Sequence, residues 1–283
     1  MTCRHGISPR ANIVKGMYAD DWTRWHDEYE RRRSAPHGLL AATGMYWLDA
    51  TPERFPDAPG AWSVGADGAV TVRLDAGEQL TAGDGATITG EHDFGPVDED
   101  GVTLAFGKEE ATVEIATRGE GVIVRPRHPG HKLRVEYAGT PAFPPDEKWI
   151  VDARYVPLDQ PDEVALPTVV EGLDGSDRAQ GRVEFEIGGV PLALTVFAGA
   201  AEGTLTTLFS DRTAGVTTYP ASRRLPIPRP SPDGTLRIDF NRATNLPCAY
   251  TDFATCTLAP PENRLPVAIE AGEQIPRARR AAD

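Results

Sequence analysis

The stretch RVEFEIGGVPLALTVFAGAAEGTLTTLF, residues 182–209, decides the fold. Apolar and polar residues alternate in three runs of it, over residues 182–187, 192–197 and 204–209. A period of two is typical of half-buried β-strands, because successive side chains point to opposite faces of a sheet. Gly188 and Gly189 separate the first two runs and favour a tight turn. The stretch therefore predicts consecutive antiparallel strands.

The same alternation recurs along most of the chain. Further runs lie at residues 70–74, 111–117, 121–127, 132–137, 149–156 and 235–240. One convincing helical pattern precedes them at residues 22–33, where Trp22, Trp25 and Tyr29 share a face. The 28 glycines and 25 prolines among 283 residues fit many short elements. We predict an all-β, mainly antiparallel fold of sandwich- or barrel-like meanders with one N-terminal amphipathic helix.

The expected domain organisation is simple. Residues 1–17 are expected to form a disordered leader, residues 18–275 a single β-rich domain with a seam near residues 141–148, and residues 276–283 a flexible tail. No run approaches the roughly 20 apolar residues of a membrane span, and the start lacks the apolar core of a signal peptide. Three cysteines are an odd number and fit a reducing compartment. We expect a cytoplasmic protein.

The charge balance limits the choice of partners. Forty-two acidic against 29 basic residues give a formal net charge of −13. This excess repels phosphate backbones and anionic membrane surfaces, so neither nucleic acid nor a membrane is an expected partner. The expected partner is a small-molecule ligand, and the expected assembly is a monomer or a homodimer.

Polar side chains are concentrated just after the predicted strand at residues 235–240. Asp239, Asn241 and Asn245 lie within seven residues of one another there. One interpretation places them in the floor of a pocket that holds a polar ligand. The alternative makes them turn-formers, because Asn and Asp side chains bond their own backbone in turns.

A second group of polar residues precedes it. Asp211, Tyr219 and Arg223 lie on a predicted hairpin, and a carboxylate, a phenol and a guanidinium together suit an anionic substrate and a proton transfer. The alternative is a structural Arg–Asp pair with the tyrosine packed over it.

Metal sites have little support in the sequence. His128 and His131 flank a Pro-Gly turn, and Glu136 follows, so the three are candidate ligands if the turn places the imidazoles across a hairpin. The alternative is a pair of exposed histidines at a hairpin tip. Cys248 and Cys256 are spaced too widely for a typical zinc motif, and their expected role is that of small buried residues.

Several motifs together resemble a known family. They are SDRTAG at residues 210–215, DFNRATNLPCAY at 239–250, PPENRL at 260–265 and IEAGE at 269–273. With PHGL at 36–39 and GMYWL at 44–48, the series resembles the bacterial and archaeal family catalogued as domain of unknown function 1684, over residues 18–273. The resemblance supports the architecture and the candidate residues, and it implies no particular reaction.

These observations lead to three functional hypotheses. The first is a cofactor-independent enzyme, a hydrolase, lyase or isomerase, that acts on a small polar or anionic metabolite. In it, Asp211 or Asp239 is the general base, Tyr219 the acid and Arg223 the anion clamp, while Asn241, Asn245 and Asn263 orient the substrate. The second is a non-catalytic binder of small ligands that uses the same pocket. The third is a scaffold or oligomer-interface protein, for which an exposed apolar patch is expected.

Overall fold

The computed structural model describes residues 9–108, 110–173 and 175–277. Its contacts divide the chain into two compact units. The sandwich unit consists of Arg31–Ala138 and Tyr250–Thr255, and the curled-sheet unit consists of Met1–Glu30, Gly139–Ala249 and Cys256–Asp283. No helix in the described ranges is long and apolar enough to cross a membrane.

Helix α1 spans Pro9–Arg33 and is longer than the pattern at residues 22–33 predicts. Residues 9–17, expected as part of a leader, are therefore helical, while residues 1–8 lie outside the described ranges. Trp22 is buried, and its indole Nε1 donates to the backbone oxygen of Asn241 at 2.8 Å. Tyr29 on the same face donates to Thr244 at 3.2 Å. The aromatic face of the helix thus packs on residues 241–244 of the curled-sheet unit.

The sandwich unit contains two antiparallel sheets. In chain order its strands are β1 (Tyr46–Trp47), β2 (Glu53–Arg54), β3 (Ala61–Val64), β4 (Ala69–Arg73), β5 (Leu80–Thr81), β6 (Thr87–Ile88), β7 (Glu91–Pro96), β8 (Val102–Phe106), β9 (Ala111–Arg118) and β10 (Gly121–Arg127). One sheet has the order β1-β10-β9-β8-β5-β6 and the other β2-β3-β4-β7. Trp62, Val72, Leu104 and Val113 from the two sheets share one buried cluster, so the sheets enclose a common core.

One predicted strand of this unit is wrong. Residues 132–137 do not pair with a neighbour, because a short helix α2, Lys132–Val135, follows the Pro-Gly turn. The amides of Val135 and Glu136 donate to the oxygens of His131 and Lys132 at 3.0 and 2.9 Å, which is the i to i−4 pattern of a helical turn. The local backbone bonds therefore satisfy this segment without a sheet.

The curled-sheet unit contains one antiparallel sheet of seven strands. They are β11 (Ile150–Leu166), β12 (Gly175–Ile187), β13 (Val190–Ala198), β14 (Leu205–Phe209), β15 (Arg223–Ile227), β16 (Thr235–Asp239) and β17 (Thr244–Asn245). The order β16-β11-β12-β13-β14-β15-β17 places β16 and β17 at opposite edges. All three runs of the stretch at residues 182–209 lie on its central strands, and the prediction of an all-β fold is confirmed.

The chain itself forces this sheet to curl. Only residues 240–243 separate the two edge strands, and an extended link of that length spans at most about 15–20 Å. A flat sheet of seven strands would place its edges roughly 29 Å apart at about 4.8 Å per strand. The sheet therefore bends toward a barrel around buried side chains such as Val183, Leu194, Leu225, Ile238 and Phe240.

Candidate functional site

A cavity of about 690 Å³ lies in the curled-sheet unit, lined by strands β12 to β16 and by residues that follow β13, β15 and β16. Strand β15 pairs with β17 only at Arg223 and Arg224, which leaves the rest of that edge without a β17 partner. Ala198, Leu205, Pro226 and Ile227 supply apolar surface to the cavity. Pockets for small ligands have volumes of roughly 300–1,000 Å³ and mainly apolar walls, and the cavity has both properties.

Five charged side chains line the same cavity: Arg224, Arg237, Arg242, Asp177 and Asp239. Arg242 is held by Asp21 at 2.7 Å and Asp239 at 3.2 Å, and its guanidinium lies 5.2 Å from the ring centroid of Trp25. Arg237 contacts Asp152 at 3.6 Å at the surface. Within the described ranges the side chain of Arg224 makes no ion pair or hydrogen bond. The cavity thus contains a cation that the fold does not neutralise.

Asp239 lines the cavity and also bonds helix α1. The hydroxyl of Tyr18 donates to both of its carboxylate oxygens, at 2.9 and 2.8 Å. The backbone and side-chain nitrogens of Asn241 donate to Oδ1, and Nε of Arg242 donates to Oδ2. The carboxylate is therefore fixed in place by five hydrogen bonds from three neighbours.

This network changes the acidity of Tyr18. Burial raises the pKa of its phenol well above the ordinary value, and the hydrogen bond to Asp239 and the negative charge of that carboxylate raise it further. Tyr18 therefore remains a proton donor to Asp239 throughout the neutral range.

Asn241 does not line the cavity, although Asp239 does. Its side chain is buried, accepts from the amide of Asp146 at 3.0 Å and donates to the oxygen of Asp146 at 3.0 Å. The two bonds tie the end of strand β16 to the segment that leads into β11. Asn241 thus holds the cavity wall from behind.

Asp211 and Arg223 form a buried ion pair away from the cavity lining. Their oxygen and nitrogen lie 2.6 Å apart, and both side chains are at most 2% exposed. Arg223 also donates to the backbone oxygens of Ala271 and Ile269, while Asp211 accepts from Thr213 and from the amide of Ile269. Burial lowers the pKa of the guanidinium, and the charges of Asp211 and Glu273 oppose that effect. The pair corresponds to the structural alternative for these residues.

Tyr219, Asn245 and Asn263 also bond within the fold. The hydroxyl of Tyr219 donates to the oxygen of Cys248 at 2.9 Å, and the side chain of Asn245 donates to the oxygen of Gln274 at 2.8 Å. Asn263 is fully buried and bonds Thr195, Thr207 and Leu208 with its amide group. Of the seven predicted catalytic and ligand-binding residues, Asp239 alone lines the cavity.

The structure does not assemble the metal candidates of the sequence. Nδ1 of His131 bonds the oxygen of Leu40 at 3.0 Å, Nδ1 of His128 accepts from the amide of Gly130, and Glu136 lies near Lys132. The two histidines would face each other only across a hairpin. The chain instead continues from His131 into helix α2. Among the described side chains, three adjacent ligand groups occur in a different set: His26, Glu30 and Glu273.

Sequence reasoning missed the residues that give the cavity its charge. Arg224 and Arg237 occupy exposed positions of alternating strands, which look like ordinary solvent-facing sites. Tyr18 lies one helical turn before Trp22, and the i, i+4 spacing was the available signal that it shares the buried face. Arg242 stands three residues after Asp239, which is a common spacing for a local ion pair.

Known proteins that are similar to this chain are described as uncharacterised. The comparison with curated proteins gave no match. The solution NMR structure of an uncharacterised protein from Haloarcula marismortui is 30% identical, with a TM-score of 0.42, and the alignment covers 50% of this chain and 78% of that one. Residues 135–274 match the model of the family described as protein of unknown function (DUF1684), and the chain belongs to that family.

Proposed function

We propose that the cavity of the curled-sheet unit binds a small anionic molecule, and that the protein is a binder of such ligands. The observation that carries the proposal is Arg224, a guanidinium without an ion-pair partner in the described ranges, beside Arg237 and Arg242 in a cavity of about 690 Å³. Guanidinium groups bind carboxylates and phosphates through two parallel hydrogen bonds. In a chain of net charge −13, three arginines at one cavity are a local reversal of sign.

The lining also defines the rest of the ligand. Ala198, Leu205, Pro226 and Ile227 form an apolar wall beside the arginines. A ligand that fits both surfaces has one carboxylate or phosphate group and a compact apolar or ring portion. Inorganic phosphate alone uses only the charged side of such a cavity.

Binding is favoured over catalysis by the state of Asp239. A general base needs a lone pair directed at the substrate, whereas this carboxylate already accepts from Tyr18, Asn241 and Arg242. The other two predicted catalytic residues, Asp211 and Tyr219, bond elsewhere in the fold. In the proposal, Asp239 positions Arg242 and takes no proton from the ligand.

The test is a calorimetric titration of the full chain with paired ligands. Benzoate, a phosphorylated pentose and the corresponding free pentose form the panel, so that one pair differs only in its anionic group. We expect micromolar binding of an anionic member and no binding of the neutral sugar, with about tenfold weaker affinity in Arg224→Met. Arg229→Met, which removes an exposed arginine whose guanidinium bonds the oxygen of Glu202, is the matched control and is expected to keep the affinity.

The proposal fails if no anion binds below millimolar concentration, or if Arg224→Met leaves the affinity unchanged. Asp239→Asn separates a binder from an enzyme. In a binder it alters only affinity, because Asp239 holds Arg242. Turnover of a bound ligand by the wild type that disappears in Asp239→Asn would instead establish the enzyme hypothesis.

A further inference from the structure

Three potential metal ligands meet beneath helix α1, in a part of the curled-sheet unit that the proposed function does not use. His26, Glu30 and Glu273 each offer one ligand atom, and the three atoms lie within 4.8 Å of one another. Glu273 is 1% exposed, and the other two are half-buried. An imidazole nitrogen and two carboxylate oxygens at this separation are the donor set of many zinc and non-haem metal sites.

The helix places the first two ligands. His26 and Glu30 are four residues apart, so they lie on one face, one turn above the other. The ring of Trp22 stacks on the ring of His26 with centroids 4.8 Å apart and planes 12° from parallel. Because Trp22 is itself held by its bond to Asn241, the stacking fixes the plane of the imidazole. One oxygen of Glu30 accepts from the amide of Thr140 at 3.2 Å, which orients its carboxylate.

Glu273 is placed by its own backbone. The preceding Gly272 has φ of +73°, and a Cβ there would lie 2.5 Å from the oxygen of Ala243, so only glycine allows this approach. The amide of Glu273 donates to that same oxygen at 2.9 Å. Its Oε2 accepts from the amide of Asn245 at 2.6 Å. Hydrogen bonds that orient a carboxylate in this way are usual around metal ligands.

An independent observation points to a ligand at this place. Nε2 of His26 is buried and has no hydrogen-bond partner among residues 9–108, 110–173 and 175–277. A buried polar atom without a partner is costly to the folded state, so such atoms are rare. The imidazole of His26 meets the two carboxylates, and Nε2 is one of the two nitrogens through which an imidazole binds metals.

We propose that His26, Glu30 and Glu273 bind a divalent transition-metal ion, with zinc as the reference case. A dication takes the lone pair of Nε2 and attracts the two carboxylates. Zinc bonds to nitrogen and oxygen are about 2.0–2.2 Å, so tetrahedral ligand atoms are about 3.4 Å apart. Side-chain rotations that bring the three atoms together by about an ångström complete the site. Three protein ligands leave one position for water or another ligand.

The imidazole argues against magnesium and calcium. Both ions take oxygen ligands almost exclusively, and magnesium keeps several of its waters. Imidazole favours zinc, iron, nickel and copper. The site is therefore expected to bind Zn²⁺ or Co²⁺ and to ignore Mg²⁺ at the same concentration.

The experiment uses the full chain without a histidine tag, freed of metal by a chelator that is then removed. Calorimetric titration with Zn²⁺ is expected to show one ion per chain with a dissociation constant in the micromolar range or below. Titration with Co²⁺ adds a spectroscopic readout. Visible d–d bands without a thiolate charge-transfer band are expected, because the ligands are nitrogen and oxygen.

Two variants and two controls identify the ligands. His26→Gln and Glu30→Gln are each expected to lower Zn²⁺ affinity at least about 100-fold, since even outer partners of a metal ligand contribute 10–100-fold. Asp27→Asn on the exposed side of the same helix and His92→Gln in the sandwich unit are the matched controls and are expected to bind as the wild type does. Far-ultraviolet circular dichroism confirms that each variant is folded.

Three results would overturn the proposal. They are the absence of stoichiometric Zn²⁺ binding to the wild type, unchanged affinity in both His26→Gln and Glu30→Gln, and a thiolate band with Co²⁺ that Cys256→Ser removes. The last result would assign the ion to the cysteines. Failure of anion binding at Arg224 has no bearing on this test, because the two sites share no residue.

Discussion

Arg223 and Arg224 are neighbours in sequence on strand β15, and the structure uses them in opposite ways. Arg223 faces inward, is 2% exposed and is bonded to Asp211, Ala271 and Ile269. Arg224 points to the opposite face of the strand, where it is exposed and lines the cavity. Its guanidinium makes no ion pair within the described ranges. The alternation of a β-strand thus separates a structural arginine from a binding arginine by one residue. Burial and partners, and not residue type, distinguish the two roles.

The largest expected effect on stability concerns Arg223, the structural arginine of the two. Arg223→Met leaves Asp211 as an uncompensated buried charge, and breaking a buried pair in this way costs about 3–5 kcal/mol. Urea unfolding measures the change in the free energy of unfolding. Arg224→Met is the matched control and should stay within about 0.5 kcal/mol of the wild type. If Arg223→Met and Arg224→Met lowered the free energy of unfolding equally, the two arginines would not differ in structural role.

Asn263 extends the comparison between structural and ligand-binding residues to an uncharged side chain. Its amide bonds both the nitrogen and the oxygen of Thr195 and also the oxygen of Leu208. Asn263→Ala leaves these buried groups without partners and is expected to lower the free energy of unfolding by about 3 kcal/mol. Glu262→Ala, on the exposed neighbour, is the control in the same urea series. A loss below about 1 kcal/mol would mean that water replaces the amide.

Tyr18 gives the smallest stability effect, because it is half-buried. Tyr18→Phe removes its bonds to Asp239 and is expected to cost about 1 kcal/mol at neutral pH. Tyr29→Phe, which removes a longer bond to Thr244 from the same helix, provides the comparison.

The pH dependence of stability has a definite sign. The pKa of Tyr18 is raised in the folded state, first by burial and then by Asp239, so the folded protein holds this proton more tightly than the unfolded chain. The contribution is present below about pH 10 and decreases as the pH rises above it. Unfolding curves between pH 8 and pH 11 should therefore show a steeper alkaline loss for the wild type than for Tyr18→Phe. Parallel curves would contradict the assignment.

The fold was largely readable because most strands are amphipathic. Strand β12 alternates over residues 182–187. Strands β9 and β10 were predicted within a residue of their bounds, although both are buried on both faces along most of their length. The segment at 132–137 alternates as well, yet local bonds after the Pro-Gly turn form helix α2. A pattern of only four residues is too short to distinguish a β-strand from a single helical turn.

The candidate site was less readable. Asp239 was predicted and lines the cavity, but its partners Tyr18 and Arg242 come together only when helix α1 packs on the end of β16. His26 and Glu273 are separated by almost the whole chain, so no spacing of residues in the sequence indicates that they meet. Polar residues in dense motifs, such as Asp211 and Asn263, turned out to bond the fold itself.

The most direct test of the distinction between the two arginines is an NMR titration of their side chains. In deuterated protein labelled at arginine, the Nε–Hε signal of Arg224 is assigned by its loss in Arg224→Met, and benzoate is added. The Arg224 signal is expected to shift to saturation while the Arg223 signal stays in place. Saturable benzoate binding that leaves the Arg224 signal unmoved, or a shift of the Arg223 signal of equal size, would contradict the distinction between the two arginines.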